Sequence, residues 1–281
     1  MKINDVAKDN IVHYETVLNN APQDVKDVAC QLKQKIRLGF NTGLDKAILI
    51  LKGRNKSRFE IVAERRGMSV SELAALPHAE QVDLISDGST SEYPTIHERR
   101  VTFSGHFDDG HILTYYSLLA SDFAGNPTYG AFYFVINHDS ILATALKYDS
   151  LKKYFTDSNE FLYNECIKDL LPYTYIDCLI ASKYLLGVSA ISLEGIINII
   201  SNEVASNDMP LEVMTTDKVD ASNVVSALIP QAWYSYFIGL SERYIMGETL
   251  LGEEGRNLKN FNELTKILIN HKIPLKVVDS W

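Results

Sequence analysis

Three runs bear on the fold class: RRVTFSGHF (residues 99–107), HILTYYSLLA (111–120) and YGAFYFVIN (129–137). In each, apolar and polar residues alternate with a period of two, as in a strand with one buried face. Asp109-Gly110 separates the first two runs and suits a two-residue hairpin turn, because both residues tolerate positive φ. Gly125-Asn126-Pro127 marks the next connection. A three-stranded antiparallel meander over 99–137 is therefore expected. Alternation puts Val101, Phe103, Phe107, Ile112, Thr114, Tyr116 and Leu118 on a core face. Arg100, Thr102, Ser104, His106, Asp108, His111, Tyr115 and Ser117 fall on the other, which is too polar for a core and reads as solvent-facing or as a cleft floor. In the third strand Phe132, Phe134 and Ile136 take the core side, and Tyr133 joins the polar face.

The flanks read as helical. After Pro22, Val25, Val28, Ala29, Leu32 and Ile36 form one apolar stripe, with Cys30 off it. Residues 47–51 have strand character and lead into the basic residues Lys52, Arg54, Lys56 and Arg58. FEIVAERRGMSVSELAAL (59–76) reads as helix, turn at Gly67, and a second helix capped by Ser69. That second helix carries Glu72 and no Lys or Arg for phosphates or base edges, so the unit is expected to be structural. Beyond Ser140, helices are expected near 140–155, 158–170, 172–186, 192–206, 222–245 and 259–270. The expected fold is α+β: N-terminal helices, a small central antiparallel sheet and a helical C-terminal half. It forms a single domain over 1–281 or, if subdivided, a mixed part to 150 and a helical part after it.

Composition bounds the function classes. The chain has 281 residues, 46% hydrophobic and 22% charged, an ordinary globular balance that excludes disorder, collagen-like repeats and coiled coil as whole-chain descriptions. A net charge of -9 opposes nucleic-acid binding. The start MKINDVAKDN has charges where a secretory leader would be apolar, and three cysteines leave one unpaired, so a cytoplasmic setting is expected. The uncharged run 221–241 is long enough to span a bilayer, but Pro230 and its Ser, Asn and Gln residues point to a core helix broken at Pro230. No membrane span is expected.

Two stretches resemble known families. HFDDGHILT (106–114) resembles the HxD strand of iron(II), 2-oxoglutarate-dependent oxygenases. That resemblance implies Fe(II) held by His106 and Asp108, and His111 across the turn adds a second imidazole. Those enzymes also use a distal His on a late strand, where this chain reads as helical. YGAFYFVINHDSILATALKY (129–148) resembles the ADP-ribosyltransferase segment in which a Gly-x-Tyr strand precedes an Ala-x-x-Tyr helix. It implies NAD as cofactor, with Gly130 and Tyr133 on the strand, and Ala145 and Tyr148 on a helix that stacks on nicotinamide. His97, Arg100 or His106 would hold the ribose or phosphate. A late Glu from Glu242, Glu248, Glu253 or Glu254 would activate the acceptor, a protein or a small molecule. This reading takes His106, Arg100 and Glu248 as catalytic, and Tyr133, Tyr148 and Arg100 as NAD-binding.

Two further readings remain. Cys30, Gly110-His111 and Asn137 or Asp139 follow the residue order of papain-like effectors, but Cys30 lies two turns into its helix, away from the N-terminal dipole that activates such thiols. The chain also suits a non-enzymatic interaction protein whose helical half, rich in tyrosines such as Tyr163, Tyr173, Tyr175, Tyr184, Tyr234, Tyr236 and Tyr244, forms the binding surface. Group transfer is preferred over the oxygenase because it needs no distal ligand.

Overall fold

The computed structural model describes residues 1–87, 94–120, 130–137, 143–146, 154–180 and 212–279. Along the chain, α1 (Ile3–Asp9), α2 (Ile11–Asn20) and α3 (Gln23–Lys35) precede β1 (Ile36–Thr42) and α4 (Leu44–Leu51). Next come α5 (Arg58–Arg66), α6 (Val70–Ala74), α7 (His78–Ser86), α8 (Pro94–Gly105), the 3-10 turn Gly110–Ile112, β2 (Thr114–Ala120), β3 (Phe132–Ile136) and β4 (Ala143–Leu146). They are followed by α9 (Tyr163–Asp169), β5 (Leu171–Pro172), α10 (Ile176–Ile180), β6 (Glu212–Thr215), β7 (Val224–Pro230), α11 (Gln231–Ile245), α12 (Gly252–Asn270) and β8 (Leu275–Val278). The chain is α+β, with N-terminal helices and the long α11 and α12 in its C-terminal half. It divides into two compact units, each assembled from three segments: 1–35, 56–116 and 142–217 in the first, 36–55, 117–141 and 218–281 in the second. Neither unit is a continuous half of the chain.

In the first unit, β4 pairs antiparallel with β5 and β6. The helical hairpin read from 59–76 is present. Ser57 and Ser69 each accept from the backbone N–H three residues on, at 3.1 Å, and Glu60 and Glu72 reach back to the cap N–H in two full capping boxes. Gly67 closes α5 in the left-handed conformation, φ 67°. The main correction is that residues 99–105 belong to helix α8 and not to a strand. Val101 packs with Phe59, Val62, Ala63, Leu73 and Ile85, whereas Phe103 and Phe107 pack with Ile3, Val6, Leu113 and Tyr154. Residues two apart on a helix point about 200° apart, so a helix buried on opposite sides shows the two-residue alternation of a strand. The Asp109-Gly110 hairpin is also absent. Gly110 begins the 3-10 turn, and a Cβ there would stand 2.3 Å from the Ser104 carbonyl oxygen.

In the second unit the strands run in the order β2 (its residues 117–120), β1, β3, β7, β8. β1 pairs antiparallel with β2 (Leu38 opposite Leu118) and with β3 (Phe40 opposite Phe134), so it lies between two strands expected to be neighbours. This excludes the meander. β7 joins β3 antiparallel, and β8 joins β7 in parallel, making the sheet mixed. All five residues of β3 are buried, so both sides of this strand are covered. Residues 47–51, expected as a strand, belong to helix α4. The helix expected over 222–245 divides at Pro230 into β7, rich in β-branched residues, and α11. Residues 143–146, expected within a helix, are strand β4. Phe132, Phe237 and Phe261 stack in sequence, with centroids 6.1 and 4.4 Å apart, and tie β3 to α11 and α12. No helix among the described residues is long and apolar enough to cross a membrane.

Candidate functional site

The residues expected to carry chemistry are divided between the two units. Arg100 and His106 belong to the first unit, Tyr133 and Glu248 to the second, and Tyr148 lies outside the described residues. Tyr133 is 1% exposed, so its ring is core and not part of a polar face. A Cβ on Gly39 would stand 2.1 Å from the Tyr133 hydroxyl oxygen, which shows how closely ring and strand are packed. Glu248 accepts from the Arg243 guanidinium, which holds its carboxyl below the usual range. Arg100 is half-buried on α8, where it and Arg58 oppose protonation of His97, already disfavoured by burial.

The metal trio is separated as well. His106, just beyond α8, bonds through Nδ1 to the Thr102 carbonyl at 2.7 Å and stacks on Tyr163. Asp108 pairs with the N-terminal amine at 2.8 Å. His111 lies edge-on to Phe59, 4.6 Å between centroids, and its burial lowers its pKa. Among the described residues, no group of three His, Cys, Asp or Glu side chains is arranged to hold one ion, and His106, Asp108 and His111 do not form one. The hairpin that was to have placed the three on one face is absent. Cys30 is exposed in the middle of α3, and Asn137 donates its backbone N–H to the Asn223 carbonyl at 2.7 Å. Burial, reinforced by Asp177, pushes the Cys178 thiol up to about 11 and keeps it protonated.

A different feature of the second unit stands out. The turn joining α11 to α12 presents Tyr244, Ile245, Met246 and Leu251 to solvent, with Ile245 81%, Met246 78% and Leu251 76% exposed. Single exposed apolar residues are ordinary, but four within residues 244–251, Tyr244 and Ile245 closing α11 and Met246 and Leu251 following it, are not. The turn is closely held. Arg243 donates Nε to Glu248 at 2.8 Å and Nη1 to Glu254 at 2.8 Å, bridging the turn and the first turn of α12. The Gly247 and Glu248 N–H groups bond back to Tyr244 and Arg243, each at 3.0 Å. Gly247 and Gly252 adopt φ 93° and 59°, conformations that strain other residues. At Gly255 a Cβ would stand 2.6 Å from the Leu250 carbonyl oxygen.

The sequence reading missed this turn. Its signal, YIM followed by glycine and then LLG, is legible in 244–252 as apolar residues crowded around helix-ending glycines. No protein-family model matches the chain, and a comparison with curated proteins finds no match.

Proposed function

We propose that this is an interaction protein that docks a partner on the apolar turn between α11 and α12. The observation that carries the reading is the exposure of Ile245 and Met246 beside Tyr244 and Leu251 on a turn held by Arg243. A rigid apolar turn binds with less ordering entropy than a mobile one, so its contacts convert more fully into affinity. The NAD-transferase reading draws no comparable support, because Tyr133 fills core space and Glu248 is committed to Arg243.

The test is site-specific photo-crosslinking in the native cell. A diazirine residue at position 245 is expected to give a discrete adduct that one at the equally open Val12 of α2 does not. Equal, diffuse labelling from both positions overturns the reading.

A further inference from the structure

We propose that the occupant of the α11–α12 turn is a protein whose receiving apolar pocket is rimmed by lysine and arginine. This rests on the docking role proposed above and adds the partner's chemistry. Negative charge remains at the turn once its internal pairs are closed.

Glu242, Glu248, Glu253 and Glu254 flank or interrupt the apolar residues in sequence. Arg243 pairs with both Glu248 and Glu254, one cation against two carboxylates. Glu242 and Glu253 are exposed and form no ion pair among the described residues, with Arg256 the nearest further cation in sequence. Acids in the first turn of α12 also favour its dipole, which accounts for part of Glu253's placement but not for Glu242 at the end of α11, where a carboxylate is unfavourable. An apolar centre with an uncompensated acidic rim complements a basic-rimmed apolar pocket.

The same charge argues against the other occupants. A second copy docking through the same turn would bring two acidic rims together, which costs free energy. An anionic membrane would repel the rim, and interfacial membrane segments carry Lys and Arg around their apolar face where this turn carries Glu.

The experiment repeats the position-245 crosslink in the full-length chain with the Glu242→Lys/Glu253→Lys pair and, separately, in raised salt. Rim charges act chiefly on association rate and its salt dependence. The expected result is a heterologous protein adduct whose yield falls several-fold with either change. The contact surface on the adducted partner, mapped by mass spectrometry, should be Lys/Arg-rimmed. Circular dichroism and unfolding of the variant should match the parent, and if charge reversal perturbs the fold, Glu242→Gln/Glu253→Gln replaces it with the same expected direction. Three results overturn the proposal: an adduct indifferent to salt and charge, an adduct of twice the chain's own mass, or co-sedimentation with vesicles of phosphatidylcholine, alone or mixed with phosphatidylglycerol, that Ile245→Ser abolishes. Each of these leaves the docking role standing, whereas absence of any adduct specific to position 245 removes that role itself.

Discussion

Tyr133 is a core residue of β3. On a two-faced strand it would share the polar side, and its loss would leave the fold untouched. In the structure it fills the space over Gly39 in a strand buried on both sides, with Asn41 and Leu228 as its ladder partners. Tyr133→Ala is therefore expected to cost about 3–5 kcal/mol, the range for emptying a buried aromatic site. The reciprocal change, Gly39→Ala, forces a methyl against the Tyr133 ring and the Phe134 carbonyl, and should cost about 1–3 kcal/mol by overpacking. Denaturant unfolding of both variants measures this. A Tyr133→Ala variant as stable as the parent would contradict the packing described. Gly130 belongs to the same set of close approaches: at φ 134° its Cα lies where a Cβ would stand 2.1 Å from the Thr42 carbonyl carbon, so only glycine fits.

Among helices and strands, local chemistry was legible where a signal is short and complete, and misleading where burial is two-sided. The hairpin of α5 and α6 could be read from Gly67 and Ser69 because capping chemistry is local. Helix α8 could not, because its opposite faces enter two different apolar clusters. Of β1 the sequence offers only Ile36, as the end of a helical stripe, since the strand's place between β2 and β3 depends on partners distant in sequence. The capping pairs yield a comparison. Ser69 caps α6 at an exposed position, so Ser69→Ala should cost about 1 kcal/mol. Ser57 is buried, and its hydroxyl both accepts from the Glu60 N–H and donates to the His111 carbonyl at 2.7 Å. Ser57→Ala removes a cap and leaves a carbonyl without its donor, so it should cost about 2 kcal/mol. Thermal and denaturant unfolding should rank Ser57→Ala below Ser69→Ala in stability; the reverse order would exclude the bond to His111 as a support of the first unit.

Across the chain, composition and α+β class were legible, but the division into two units was not, because each unit is stitched from three separated segments whose association depends on long-range packing. The residues that the ADP-ribosyltransferase resemblance groups are likewise divided between the two units. Stability against pH offers a test that spans the molecule. His111 and His97 have pKa values held below the ordinary 6.5, His111 by burial, His97 by burial first and then by Arg100 and Arg58. The unfolded chain binds protons at these residues below pH 6.5 and the folded chain resists them, so stability declines as pH falls from 6.5 toward the lowered folded values. Glu72, Asp220, Glu248 and Glu263 also have depressed pKa values, but from ordinary values of 4.5 or 3.8, so their contribution is lost only in more acidic solution. The interval between pH 6.5 and 4.5 therefore belongs to the histidines. Denaturant midpoints should fall across it, and His111→Gln should flatten the slope even though it loses the edge contact with Phe59 and lowers stability at pH 7. A slope unchanged by His111→Gln would mean that the imidazole is protonated as readily in the folded chain as in the unfolded one, contrary to its burial beside Phe59.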